Sequence, residues 1–354
     1  MARRQSLSAA FPPGVDAFLV TGLTNVRYLS GFTGSNAALL VSSDGEAFLA
    51  TDGRYALQAA AECPDVEVTV TRSLAPTLVS RAAVGNQVRR LAIEHQHVTL
   101  ASFAQLQEAA AHALEFVNGE QAVERLRAVK DTEEIAVIAA ACRITDETFA
   151  AVLDRIRPGV TERDIEWELR RLMHERGAEP AFDSIVAFGP NSAEPHHDPT
   201  NRELAAGDLV TLDFGAALEG YHSDMTRTVV CGPPAHWQRD IYDLVREAQR
   251  AAIDAALPGV DTQVVDAAAR DIITAAGHGD AFTHGLGHGV GLEIHEAPLM
   301  GYDRTGKLMD RVPITAEPGV YLTGRGGVRI EDTLVVRADG PELLTTTTRD
   351  LLVL

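Results

Sequence analysis

Asp213, Asp224, His288, Glu317 and Glu331 each stand in a short stretch whose backbone is restricted by glycine or by alternation of residue type. The stretches are LVTLDFG, YHSDMTRT, HGLGHGVG, ITAEPGV and GGVRIEDT. A fold that gathers them places four carboxylates around one imidazole. That much like charge is too costly in a dry pocket without a compensating cation. Oxygen-rich donors with a single imidazole suit a pair of hard or borderline divalent metals, not a thiolate zinc site. Two metals sharing bridging carboxylates can bind and activate a water between them. The pattern points to a two-metal hydrolase.

The rest of the chain narrows the class. Its 354 residues are enough for two domains, and 45% apolar content is ordinary for a globular protein. A net charge of −19 argues against an unspecific grip on nucleic-acid phosphates. Cys63, Cys142 and Cys231 are scattered and form no CxxC pair, which favours a reducing compartment. The N-terminal MARRQSLSAAFPPG is charged but lacks the apolar core of a secretory signal. No apolar run approaches the length of a spanning helix, so no membrane association is expected. A cytoplasmic location is the expectation.

To about residue 122 the chain alternates β-rich and alanine-rich runs. DAFLV, NAALLVS, EAFLA and VEVTV read as strands. Residues 56–61, RSLAPTLVSRAA and LASFAQLQEAAAHAL read as helices. This predicts a smaller α/β domain over 1–122 with a mixed sheet. No GxGxxG follows a strand, and GFTGSNA reads as a structural turn. From Val123 to Ile156 the pattern is helical, with a break at Lys130-Asp131 and Asp131 or Thr132 as the cap.

The second domain, 123–354, carries an internal echo. Thr161 caps ERDIEWELRRLMHERG, which Gly177 ends. WQRDIYDLVREAQRAAIDAAL and TQVVDAAARDIITAAG form a second helical pair. Pro-Gly-Val stands at 158–160 and again at 258–260. Helix, turn, helix, then strands, twice over, predicts two similar halves that supply ligands to a central cleft. SIVAFG, DLVTLDFG, TVVCG, VPITAEPGVYL and VRIEDTLVVRA are expected to form one curved antiparallel sheet cradled by the helices. The fold class is α+β.

Asp213 ends an alternating strand, and Asp224 follows beyond Gly215 and Gly220, so a turn can return the second carboxylate to the face of the first. Asp213 has apolar neighbours, among which an unpaired carboxylate is costly. His284, His288 and His295 fall within twelve positions in a glycine-crowded segment, which favours chemistry over three separate core hydrogen bonds. His278 reads as structural or surface. Glu331 has an alternative as a salt-bridge partner of Arg329 on the same strand face, and Asp332 should point the other way.

In order and combination these motifs resemble the metallopeptidase family of Xaa-Pro dipeptidases and aminopeptidases P, whose pita-bread fold is shared with methionine aminopeptidase and creatinase. NVRYLSGFTGSNAALLV and TDGRYALQA resemble the smaller domain of the Xaa-Pro members. The segments 207–229, 284–296, 315–320 and 327–334 resemble the catalytic domain. The resemblance implies a pita-bread domain over 123–354 with two divalent ions per subunit, manganese favoured and zinc, cobalt or iron admissible. It implies Asp213 as a bidentate ligand of one ion, Asp224 and Glu331 as bridging carboxylates, and His288 and Glu317 as ligands of the other. Glu317 would also manage the proton of the attacking water. His295 would donate to the tetrahedral intermediate, and His284 would hold the proline side of the substrate. His196, with His197 as the alternative, would stand near the leaving nitrogen. Arg329 would orient the ligand carboxylates or a catalytic histidine. Arg325 would receive a peptide carboxylate, or else is an exposed loop residue.

The implied activity is hydrolysis of the imide bond between an N-terminal residue and proline, in a dipeptide or short peptide. Proline leaves the scissile nitrogen without a hydrogen, which ill suits general peptidases. A dipeptidase is preferred to an aminopeptidase P acting on longer peptides, by analogy with compact two-domain relatives. Methionine aminopeptidases lack the N-terminal domain, creatinase lacks the five-ligand centre, and the full ligand set argues against a non-enzymatic binding protein. A homodimer is implied, with the small domain of one subunit walling the cleft of the other. Arg54 would contribute there or form a local salt bridge.

Overall fold

The β-rich runs of the N-terminal part pair into a six-stranded mixed sheet. The computed structural model describes residues 1–84 and 87–354, and the chain forms two compact units, Met1–Arg127 and Ala128–Leu354. In the first unit, strand Ala17–Val20 runs antiparallel to Ala37–Ser42 and parallel to Arg90–Ile93. Ala47–Thr51 and Glu67–Val70 extend one edge, and Glu115–Asn118 the other. Every residue of the central strand is buried, as expected for a sheet covered on both faces. Helices Leu74–Ala83 and Leu100–Ala110 pack Leu78, Val79 and Leu106 against Leu19, Leu40 and Leu91. Arg54 forks onto Asp52, with Nε 2.9 Å from Oδ1 and Nη2 2.8 Å from Oδ2, so it forms the local salt bridge.

The second unit begins where the helical run breaks. Helix Ala122–Ala128 ends, and Thr132–Val152 starts from a capping box in which Asp131 and Glu134 satisfy each other's backbone N–H groups. Thr161 and Asp164 form the same box at helix Glu162–Glu175.

The echo is structural. Gly159 and Gly259 sit in equivalent turns with φ of 91° and 85°, left-handed positions that glycine takes without strain. Each turn is followed by a fourteen-residue helix, Glu162–Glu175 and Thr262–Ala275. Each turn is clasped by a returning segment: Gly159 N to Leu204 O at 3.0 Å and Leu204 N to Val160 O at 2.9 Å, then Gly259 N to Leu308 O at 2.8 Å and Leu308 N to Val260 O at 2.9 Å. Each half also has its own core. Phe149, Leu169, Val186, Leu212 and Phe214 belong to one, and Tyr242, Val245, Ile273, Ile314 and Leu334 to the other.

The expected single curved sheet is instead divided into ladders. Ile185–Phe188, Leu209–Phe214 and Met225–Val230 form a three-stranded antiparallel sheet. Gly287–Gly289, Glu296–Met300, Pro313–Ala316, Asp332–Val335 and Glu342–Leu343 form a five-stranded one, and Gly319–Leu322 pairs with Gly326–Arg329 as a hairpin. Pro318, which has no N–H to donate, stands where the second sheet gives way to the hairpin. Side chains then replace ladder bonds: Arg329 N reaches Thr228 Oγ1 at 3.2 Å, while Glu331 N still finds Thr226 O at 3.1 Å. Among the described residues no helix is long and apolar enough to cross a membrane.

Candidate active site

Asp213 is opposite Thr226 in the Leu209–Phe214 and Met225–Val230 pair, and Asp224 immediately precedes the second strand. Asp224 and Thr226 are two apart and share a face. Gly215 permits the strand crossing between the acids, since a Cβ there would lie 1.8 Å from Ser223 O. His288 is the middle residue of Gly287–Gly289, next to a register shift, and a Cβ on Gly287 would come within 2.5 Å of Thr315 O. Glu317 directly follows Pro313–Ala316. Glu331 stands between the hairpin and Asp332–Val335.

These elements deliver the five side chains to one place. Asp224, His288 and Glu331 offer ligand atoms all within 4.8 Å of one another. His288 Nε2 is 3.5 Å from Asp224 Oδ2 and 3.6 Å from Glu317 Oε1. Its Nδ1 lies 3.0 Å from Gly289 O, which fixes the proton there and leaves Nε2 free to ligate. Thr226 Oγ1 donates to Glu331 Oε2 at 2.7 Å, and Arg329 Nη2 donates to Asp213 Oδ2 at 2.6 Å. Arg329 therefore pairs with Asp213, and Glu331 is not the partner it was a candidate for. Asp332 points away into a buried pair with Arg227 at 2.7 Å.

The electrostatics show a site short of positive charge. Burial pushes the Asp224 carboxyl up to about 6 and that of Glu317 up to about 7. Burial, reinforced by neighbouring carboxylates, raises Glu331 well above the usual range. Burial opposes charge on His288, yet its hydrogen bond to Asp224 and the field of Glu317 carry it up to about 9. Asp213 Oδ1 and Asp224 Oδ1 are buried without a hydrogen-bond partner. Orphaned buried acceptors among proton-retaining acids fit a divalent cation, which would satisfy both at once.

Around this group is a cavity of about 680 Å³, whose lining includes all five ligand candidates together with His196, His284, His295 and Arg329. His295 packs edge-on to His288, ring centroids 4.3 Å apart, and burial lowers its pKa. Burial, helped by the Arg329 charge, lowers His284 to about 4. His284 Nδ1 faces Gly285 O at 2.8 Å, and Nε2 accepts from the Tyr321 hydroxyl at 2.8 Å. His196 is exposed on the wall, whereas His197 is buried with Nε2 2.9 Å from Glu162 Oε2. Arg325 does not line the cavity; its guanidinium lies 4.4 Å above the Trp237 ring.

Three contributors escaped sequence reasoning. Tyr321 joins His284 to Arg329, whose Nη1 is 2.8 Å from the phenol oxygen, and nothing in its local pattern marks that role. Thr226 had a signal, its two-residue spacing from Asp224. Arg304 lines the cavity from an irregular loop. A second group able to hold a metal, Glu94, His97 and Glu124, lies in the first unit. Both Glu94 oxygens are already engaged there, by Thr21 N at 2.6 Å, Gly22 N at 2.7 Å and Asn25 Nδ2 at 2.6 Å, at the start of helix Leu23–Ser30.

A carboxylate-rich pocket between two similar αβ halves, in a chain that also carries a separate N-terminal domain, defines a two-domain metallopeptidase. Residues 136–338 match metallopeptidase family M24 and residues 4–129 match the creatinase/prolidase N-terminal domain, and the chain belongs to this family. An uncharacterised peptidase of Bacillus subtilis is 38% identical over 347 residues, 96% of either chain. The solved structure of an Xaa-Pro dipeptidase from Bacillus anthracis is 37% identical, covers 100% of this chain and 99% of its own, and superposes with a TM-score of 0.95. That of an X-Pro aminopeptidase from Thermotoga maritima is 36% identical, covers 96% and 98%, and gives a TM-score of 0.89.

Proposed function

We propose that the chain is a metal-dependent Xaa-Pro peptidase that prefers dipeptides. The observation carrying this reading is the convergence of five ligand candidates, four further histidines and Arg329 on one cavity. Asp213, Asp224, His288, Glu317 and Glu331 would hold two divalent ions, with Asp224 and Glu331 shared between them. When bound, such ions supply a water of lowered pKa and polarise the scissile carbonyl. Glu317, a ligand candidate that also lines the cavity, would take the proton of that water.

The remaining residues act on the substrate. His295, whose pKa is lowered by partial desolvation and by the neighbouring His288, offers an N–H to the oxygen on which charge develops. His196 supplies a proton to the leaving nitrogen, which carries no hydrogen in an imide bond. His284 faces the proline side, held by the Tyr321 hydroxyl, which Arg329 holds in turn. Arg304 is half-exposed on the cavity wall, 3.4 Å from Asp303, and is assigned to the substrate's terminal carboxylate.

Turnover of Xaa-Pro, Xaa-Ala and Xaa-Pro-Yaa-Zaa, compared ion by ion after chelation, tests the reading. Xaa-Pro should be cleaved, Xaa-Ala spared, and manganese should restore the highest rate. Preference for the longer peptide would establish the aminopeptidase alternative, which the likeness to the Thermotoga enzyme supports. Absence of proline-dependent turnover with any ion would overturn the proposal. The assembly we expect is a homodimer, and a monomer in sedimentation velocity at assay concentration would count against it.

A further inference from the structure

Glu162, the first residue of helix Glu162–Glu175, is fully buried and takes no part in the metal group. Its carboxylate nevertheless accepts five hydrogen bonds. Oε1 receives Phe188 N at 2.8 Å and Asn191 Nδ2 at 2.9 Å. Oε2 receives His197 Nε2 at 2.9 Å, Thr200 N at 2.9 Å and Thr200 Oγ1 at 2.6 Å. Burial alone would raise this carboxyl, yet Thr200, His197 and the other donors hold it below the usual range.

All five donors belong to one stretch, 188–200, whose last seven residues form neither helix nor strand. An irregular segment has no ladder to place it, so its position depends on side-chain bonds. His196 sits in this segment on the cavity wall, next to the buried His197 and four residues before Thr200. The two adjacent histidines both line the cavity but differ in surroundings, His196 exposed on its wall and His197 buried and tied to Glu162.

We infer that Glu162 is a positioning residue for His196, acting through His197 and Thr200 to set where that imidazole meets the substrate. The inference rests on the role proposed for His196. A carboxylate that served only to start the helix would need the first-turn N–H groups, whereas this one spends its acceptors on the loop. The neighbouring Arg163 adds to the clasp, with Nε 3.2 Å from Pro199 O.

The test pairs a kinetic cycle with a structural readout on the metal-loaded enzyme. Glu162→Gln keeps the shape but turns an acceptor into a donor. It should lower kcat by about tenfold, with KM and bound metal unchanged, because a positioned proton-transfer group is worth about 10²-fold or more. In a His196→Ala background the same change should cost less than about twofold, since the two act as one unit. Amide exchange across 189–200 should speed up in Glu162→Gln while the metal-ligand strands stay protected. Should Glu162→Gln fail to fold, Thr200→Val removes one of the five bonds and carries the same comparison. Unchanged exchange over 189–200, or kinetic losses that multiply between positions 162 and 196, overturns the inference. Faster loop exchange with a fully active His196→Ala variant leaves the clasp in place and refutes only the catalytic role of His196.

Discussion

His288 is pulled in two directions. Burial disfavours its charge, while Asp224 and Glu317 favour it strongly enough to carry its pKa to about 9. In the ion-free protein, protons on His288, Asp224 and Glu317 stand in for cations. At these three groups the folded state binds more protons than the unfolded state from about pH 4 to about pH 9, so their contribution to ion-free stability falls as pH rises across that window, against the opposite contribution of His284 between about pH 4 and about pH 6.5. For His288 the proton-dependent stabilisation is complete below its unfolded value near 6.5 and is lost as pH passes about 9. For Asp224 and Glu317 the same stabilisation is complete below their unfolded values near 4 and is lost as pH passes about 6 and about 7. The thermal midpoint of chelated protein should therefore drop between about pH 5 and pH 9, and saturating manganese should flatten the drop while releasing protons measurable by calorimetry in buffers of different ionisation enthalpy. His288→Ala should abolish the upper part of the dependence, lose bound metal and end hydrolysis. A chelated midpoint that climbs with pH would contradict the proton-for-cation account.

At the scale of elements, the site depends on where strands cross. Gly215 lies between Asp213 and Asp224, with no room for a methyl group against Ser223 O. Gly215→Ala should force the strands apart and separate the two carboxylates. Metal content by atomic absorption should fall well below that of the parent while far-UV circular dichroism is retained; full occupancy would show that the crossing does not set the carboxylate spacing. Glycine was itself much of what could be read in the sequence. Gly215 and Gly220 announced a turn between the two acids, glycine crowding marked the segment around His288, and alternation placed Asp213 on a strand, whereas Glu331, read as the end of one, stands just outside it. The repeated Pro-Gly-Val announced the two halves. The division of the sheet was not legible, because it depends on Pro318 and on threonine hydroxyls that replace backbone bonds across the junction. Nor was the difference between His196 and His197, since both fit the same local pattern and only the buried Glu162, remote in sequence, separates them. Arg304 and Arg325 likewise have similar glycine-containing loop surroundings, and only the path of the chain puts the first on the cavity.

For the whole molecule, the ligands are unevenly distributed. Asp213 and Asp224 come from the first half of the second unit, and His288, Glu317 and Glu331 from the second half, each half built on its own core. A shared cation would bind the halves to each other. The first unit has a separate core around Leu19, Leu40 and Leu91 and contributes no residue to this ligand group. A ligand that binds only the native form of one unit stabilises that unit by mass action, about 2.7 kcal/mol when its free concentration is 100 times the dissociation constant. Calorimetry of the chelated protein should then show two transitions, as expected when units with separate cores unfold independently. Added manganese should raise one and leave the other in place. The responding transition should lose its shift in Asp224→Asn, where a carboxylate assigned to both ions no longer carries charge, while the unresponsive one stays where it was. One transition moving as a block in the parent would show that the units unfold together and that the stabilisation reaches the N-terminal sheet.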